Sequence, residues 1–432
     1  MSLEQNLSEK PPLDGGYSWI ACLVGFFVMF VIGGQLNIAG IIFAALLDEY
    51  NTNRGQTAWV TAIASGNVLA FGMISAVLCN RFGFANVIIF GGLTCAVGMI
   101  SSSFAPNIYT LYLTYGLVWG FGSSLCYCSA LFVLPRFFRA RIGLANGIVL
   151  VGGSVGTLVL SSGIQKFIND IGLTKTFRVL AGIQLVLVIS GFIARIFLGQ
   201  LEFKNIKKNS FDWSIFKNKG YLTFVVSLCV FMPAYLIPYV HLVRLAKDSG
   251  VDSIKAAFLV SCIAFGSLTI RPFFGKLLDH PGVSRITTLQ LTLLFISVST
   301  ALVPISTKYE WLATYAFLFG LLEGCFLISL PLIVQDLVGD RKLAEALGSL
   351  YFFISIPKMA GPSIAGWIYD TSNSYDVAFF CAGGIITVSS CILFIVPMFR
   401  TNSNSRSSKG REDVHEGFEC AKEKIMVKET RL

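Results

Sequence analysis

The sequence predicts an all-α membrane protein, with twelve transmembrane helices in two pseudo-symmetric six-helix halves. Three observations predict it. First, the 432 residues are 54% hydrophobic and 13% charged, far below the roughly 25% charge of soluble domains, and mean hydropathy is +0.71. Second, the apolar residues fall into runs of about 20 or more, enough for a helix to cross a hydrocarbon core about 30 Å thick. Third, one long polar, lysine-rich break at 199–220 divides these runs six and six.

The runs follow in order. A polar N-terminal tail, 1–16, precedes the first, Tyr17–Leu47. Thr57–Cys79, Phe84–Phe104 and Tyr109–Leu134 are the second to fourth. The fifth begins near Leu144 and ends before Lys166, and the sixth is Val179–Leu198. These make an N-terminal half, 17–198, joined by the linker to a C-terminal half, 221–399. The second half holds Tyr221–Val243, Ala256–Leu277, Thr287–Ile305, Trp311–Val338, Ala344–Ile368 and Val377–Pro397. Residues 400–432 are charged and serine-rich, and are expected to be a disordered cytoplasmic tail. A weak repeat relates the halves: Asn80-Arg81-Phe82-Gly83 follows the second run and Gly275-Lys276-Leu277-Leu278-Asp279 the eighth.

Loop charge sets the orientation. With both termini inside, Arg81, Arg136, Arg139, Arg141, Lys276, Arg285, Arg341 and Lys342 are cytoplasmic. The opposite loops carry fewer cations, Arg244, Lys247 and Lys255 being the main exception. That asymmetry is the one expected of cytoplasmic loops. No cleavable signal peptide is expected, since 1–16 mixes acidic and basic residues. Small-residue stretches at 120–124, 152–156 and 360–366 suit close helix packing. Pro233, Pro238, Pro272, Pro331, Pro357 and Pro362 suit bent helices.

Composition also excludes. The net charge of +9 gathers in the linker, short loops and tail, which fits an anionic leaflet and gives no nucleic-acid partner. The eleven cysteines lie mostly inside apolar runs, and Cys126 and Cys128 are badly spaced for zinc, so no metal or other cofactor is expected. No nucleophile, zinc or Walker motif is present, so neither an enzyme nor a single-chain ATP-driven pump is expected. A channel or a secondary transporter is left, and no ring of like charges favours a channel.

The informative residues are polar groups inside spans. Arg271 stands well inside Phe258–Leu277, where a guanidinium costs about 2.5–3.5 kcal/mol on insertion scales. Glu323, midway along the tenth run, is its natural counter-charge. The pair either only ties helices together or lines a transport pathway; the pathway is the better default for intramembrane charge. Asn37 and Asn67 are either helix–helix hydrogen bonds or pocket groups. His241 reads as an interfacial residue near the outer end of the seventh run, and Lys358 and Arg195 read as cations snorkelling to an interface.

The chain resembles the monocarboxylate transporter family of the major facilitator superfamily over nearly its whole length. Asp14-Gly15-Gly16-Tyr17-Ser18-Trp19 resembles the family's entry to the first span. Arg136-Phe137-Phe138 through Arg141-Ile142-Gly143-Leu144-Ala145-Asn146-Gly147, with Gly152–Gly156, resembles its second signature. Asn37 stands where proton-coupled lactate and pyruvate carriers have lysine, and Ser267 where they have aspartate. These two departures from the resemblance tell against proton–lactate symport. Pro238–Leu242 with His241, Arg271 with Ser267, and Gly320–Phe326 followed by Asp336–Gly339 are similar to the subgroup that moves aromatic amino acids and thyroid hormones by facilitated diffusion. Glu323 replaces that subgroup's aspartate, and Leu36 its histidine.

The expected function is alternating-access transport of organic carboxylates, aromatic amino acids or related amphipathic monocarboxylates, across the plasma membrane. Arg271 is expected to hold the carboxylate in a bidentate contact, compensated by Glu323. Asn37, Asn67, Asn146, Ser267 and His241 complete the expected site, and Arg141 and Asp279 are the expected gate residues. The partners are the small-molecule carboxylate and the lipid bilayer, with a single-span accessory membrane protein as a candidate. The rival readings are a proton-coupled lactate/pyruvate symporter and a non-transporting receptor or nutrient sensor.

Overall fold

The computed structural model describes residues 15–50, 52–138, 142–202, 213–278, 280, 282–339 and 342–396. All regular elements among them are helical, and they group into twelve units. In the first half, α1 is Gly16–Asn37 continued after Ile38 by Ala39–Tyr50. α2 is Arg54–Ala70 plus Gly72–Phe82, bent by 41° at Phe71. α3 is Phe84–Ser102. α4 is assembled from Ile108–Leu111, a π-helical Tyr112–Trp119, Gly120–Phe132 and Leu134–Phe137. α5 is Ile142–Ile171, and α6 is Leu173–Ile183 plus Leu185–Glu202.

A short 3₁₀ turn, Trp213–Lys217, leads into the second half. There α7 is Lys219–Tyr235 plus Ile237–Asp248, α8 is Ser253–Leu278, and α9 is Arg285–Ala301. α10 is Tyr309–Val338, α11 is Leu343–Ser372, and α12 is Asp376–Leu393.

Local chemistry sets the ends. Asn53, Asn107, Asn218 and Ser284 cap α2, α4, α7 and α9, each side chain accepting a backbone N–H three residues on. Pro238 lacks the N–H that would bond Ala234, which accounts for the break in α7. Several helices outrun the apolar stretches that predicted them. α5 passes Lys166 to Ile171, α6 starts before Val179 at Leu173, and α6 enters the expected linker as far as Glu202. Polar side chains at those ends can stay in water while the backbone remains helical.

Among the described residues, nine helices are long and apolar enough to cross a membrane, ten with the bent α2. α4 falls short because it is segmented. α11 is diluted by Gly, Ser, Pro357, Pro362 and Lys358.

The packing repeats with an offset of six helices. α1 packs on α5 as α7 packs on α11, α3 on α6 as α9 on α12, and α2 on α4 as α8 on α10. The halves meet through α5 with α8 and α2 with α11, a pair that the same two-fold relation exchanges. Two glycines make the correspondence concrete. A Cβ on Gly156 of α5 would lie 2.0 Å from the Phe30 carbonyl oxygen of α1. One on Gly361 of α11 would lie 1.7 Å from the Pro233 carbonyl oxygen of α7. Only glycine lets these backbones meet. Large apolar side chains such as Phe90, Ile196, Phe295 and Ile356 point outward and are exposed, as a lipid-facing surface requires.

Candidate functional site

The intramembrane charges converge. Glu323 of α10 and Arg271 of α8 are 2% and 4% exposed, with Arg271 Nη2 3.5 Å from Glu323 Oε2. Glu323 is otherwise well satisfied. Ser267, one turn before Arg271, donates to Oε2 at 2.6 Å, and the Tyr235 hydroxyl of α7 donates to Oε1 at 3.0 Å. Arg271 Nη1 donates to the Leu150 carbonyl of α5, so this guanidinium bridges the two halves. Its Nε is buried and has no hydrogen-bond partner. Both terminal nitrogens are thus engaged, and the bidentate edge expected for a carboxylate is not free in this conformation.

The pair faces a cavity between the halves, lined by α1, α2, α4 and α5 on one side and α7, α8, α10 and α11 on the other. Arg271, Glu323 and Lys358 are its charged lining: two cations and one anion, an excess of one positive charge. Tyr127, Tyr235, Tyr239, Tyr351 and Phe326 give it an aromatic wall, and Asn37 and Asn146 add neutral polar groups. Lys358 ends a stripe of Leu343, Leu347, Tyr351 and Ile354 that faces the cavity at helical spacing along α11. Leu131, Asn146, Leu330 and Leu343 belong to the linker-side parts of their helices, so the cavity extends from the middle of the protein toward the linker side.

The opposite side is sealed by charge. Arg54 at the start of α2 pairs with Asp248 at the end of α7 at 2.6 Å. Its guanidinium stacks 3.7 Å from the Tyr369 ring centroid and donates to the Tyr375 hydroxyl at 2.8 Å. Asp370 of α11 accepts the backbone N–H groups of Arg54 and Gly55, at 3.2 and 3.0 Å. Arg244 of α7 pairs with Asp48 of α1, and its Nε lies 2.9 Å from Asp248. Every one of these contacts except the last joins the two halves or sets up one that does.

The expected site residues divide accordingly. Arg271, Glu323, Asn37 and Asn146 line the cavity, Asn37 also donating to Thr157 at 3.0 Å. Ser267 stands behind the lining and holds Glu323. Asn67 is not in the lining; it donates to the Gly116 carbonyl at 3.0 Å, tying α2 to the π-helical part of α4. His241 is also outside the lining. It is fully buried against Phe43 and Tyr375 and is not an interfacial residue. Its Nε2 lies 2.7 Å from the Pro362 carbonyl, and its Nδ1 3.2 Å from the Tyr375 hydroxyl. A carbonyl only accepts, so Nε2 carries the proton, and in the neutral ring Nδ1 accepts from Tyr375. The histidine therefore supports the sealed side. Arg141 and Asp279, the expected gate residues, lie outside the described residues.

The sequence reading placed Lys358 at an interface. It does not snorkel: it is 7% exposed and lies in mid-helix, with Nζ 5.8 Å from the Tyr235 ring centroid. Its position midway along the eleventh run was the available signal. The tyrosines were also missed, since aromatic residues in apolar runs look the same whether they face lipid, a core or a cavity.

Comparison with known proteins gives a consistent picture. The family model of the Major Facilitator Superfamily matches residues 25–356 and 222–429. Monocarboxylate transporter 10 of Homo sapiens is 31% identical over 429 residues, covering 94% of this chain and 83% of the relative. Monocarboxylate transporter 2 of Mus musculus is 28% identical over 416 residues, covering 90% and 86%. A solved peptide transporter in complex with sulfate superposes with a TM-score of 0.72 at 14% identity, covering 92% of this chain and 99% of that one.

Proposed function

The chain belongs to the monocarboxylate transporter family of the Major Facilitator Superfamily, and from that premise we propose that it carries organic carboxylates with an aromatic or amphipathic body, aromatic amino acids among them. The carrying observation is the cavity's charge and wall: one excess positive charge set among tyrosines and a phenylalanine. A buried net charge in a low-dielectric site is costly until an anion neutralises it. A carboxylate supplies that anion, and the aromatic wall covers an apolar body. Lactate, with little apolar surface, would leave the wall uncovered.

The cycle proposed is alternating access. In this conformation the cavity reaches toward the linker side while Arg54, Asp248, Arg244, Asp48 and Asp370 close the other. Rocking of the halves about the α2–α11 and α5–α8 contacts would exchange open and closed sides. The loop cations support a cytoplasmic linker and cytoplasmic termini; the plasma membrane is the proposed residence.

Asn37 and Ser267 favour transport without a coupled proton, since neither can hold one as lysine or aspartate would. A second reading, proton-coupled symport, draws on Lys358 and Glu323, titratable groups in the same cavity. The test is uptake of labelled tyrosine, tryptophan and lactate by vesicles containing the full chain, at two external pH values. Saturable uptake of the aromatic substrates, weak lactate uptake and no substrate-driven acidification are expected. Failure to take up any of the three would sink the carrier reading, and acidification with uptake would establish the symport.

A further inference from the structure

The three charges in the cavity are not equivalent. Arg271 is committed to Glu323 and to the Leu150 carbonyl across the half boundary. Glu323 is committed to Arg271, Ser267 and Tyr235, with both oxygens in use. Lys358 has no carboxylate within 4.0 Å and no hydrogen-bond partner among the described residues, although it is more than nine-tenths buried. Its Nζ lies 5.8 Å from the ring centroid of Tyr235. A cation in a largely buried, low-dielectric site is costly until an anion neutralises it.

We propose that Lys358 is the residue that binds the substrate carboxylate, and that the substrate is a monoanion that needs no ammonium group. Arg271 then serves as a clasp between α8, α10 and α5. A zwitterion's ammonium group would have to share Glu323 with Arg271, Ser267 and Tyr235, whereas a plain carboxylate uses the one cation that has no such partner. This inference rests on the carrier reading given above and sharpens its substrate class.

The test compares 3-phenylpropionate with phenylalanine, which share a skeleton and differ by the ammonium group. Saturable uptake of each is measured with the full chain in vesicles, for the wild type, Lys358→Met and Lys358→Arg. The wild type is expected to prefer 3-phenylpropionate. Lys358→Met should lose about 10- to 100-fold in kcat/KM, the range for one charged hydrogen bond, while Lys358→Arg keeps the charge and retains uptake within about tenfold. Heat resistance gives a second readout. Lys358→Met should be at least as stable as the wild type, because it removes an unpaired buried charge of similar volume.

Undiminished uptake by Lys358→Met overturns the inference while leaving the carrier reading intact. So does a wild-type preference for phenylalanine, or uptake by Lys358→Arg no better than by Lys358→Met. A Lys358→Met protein less stable than the wild type overturns it as well, by making the lysine a structural tie. A wild type inert toward both probes and toward the earlier panel removes the carrier reading, and this inference with it.

Discussion

Substituting Glu323 by glutamine tests the electrostatics of the cavity most directly. The carboxylate is 2% exposed, 3.5 Å from Arg271, and accepts from Ser267 and Tyr235. At an effective dielectric of about 20, two unit charges 3.5 Å apart attract by about 5 kcal/mol. Glutamine keeps a carbonyl to accept one of the hydroxyls but removes that attraction, and it leaves Arg271 and Lys358 facing one cavity with no anion between them. Breaking a buried pair by removing one partner costs about 3–5 kcal/mol, whereas replacing both partners by apolar groups is often near neutral. Glu323→Gln should therefore unfold several degrees below the wild type, and Arg271→Met should restore much of the loss when combined with it. The assay is the half-denaturation temperature of purified full-length protein in detergent at one fixed scan rate, since unfolding of such proteins is a rate as much as an equilibrium. The four proteins form a double-mutant cycle. Single losses that simply add in the double variant, or a Glu323→Gln protein as stable as the wild type, would refute the assignment of Glu323 as the counter-charge.

Further outcomes follow from the packing and the seal. Arg54→Ala should open the sealed side more than Arg244→Ala, because Arg54 is the more buried of the two and also stacks on Tyr369 and bonds Tyr375. Labelling of a cysteine placed at Ser65 by an impermeant thiol reagent added on that side measures the difference, and equal labelling would count against it. Gly156→Ala and Gly361→Ala each force a methyl group onto a backbone carbonyl of the neighbouring helix. Each should cost at least about 1–3 kcal/mol, read as lost yield of folded protein; normal yield from either would show that the helices can separate freely there. His241→Phe removes the donor to Pro362 and the acceptor for Tyr375. It should lower heat resistance, by about 1–3 kcal/mol for the groups left unsatisfied, yet leave KM for 3-phenylpropionate within about twofold; a large rise in KM would return the histidine to the site.

What could be read from the sequence was whatever hydrocarbon enforces. Lipid requires long apolar runs and charged breaks, so the two halves, the helix order and the partnership of Arg271 with Glu323 were legible before any coordinates. What could not be read was direction around each helix axis. Asn67 and Asn37 look alike in sequence, yet one bonds a neighbouring carbonyl and the other faces the cavity. His241 lies near polar residues in the chain, but the second part of α7 turns it inward beneath Tyr375. Lys358 was assigned to an interface because a long flexible cation usually reaches one. Its place in mid-helix, one turn beyond Ile354 on the cavity-facing stripe, rules that out. Helix ends misled for a simpler reason: a helix continues past the membrane surface wherever its backbone bonds hold, as α5 does through Lys166 and Asn169.

The two ends of the protein answer to different solutions. The charges around the cavity are buried, where dissolved ions screen them little. The seal is partly wet: the Asp48 side chain paired with Arg244 is 55% exposed, whereas Arg54 beside Asp248 is 12% exposed. With a screening length of about 8 Å at physiological ionic strength, added salt weakens the outer pair first and leaves the inner one largely intact. The electrolyte on one face of the membrane thus bears on how readily the carrier opens there, independently of any solute waiting on the other.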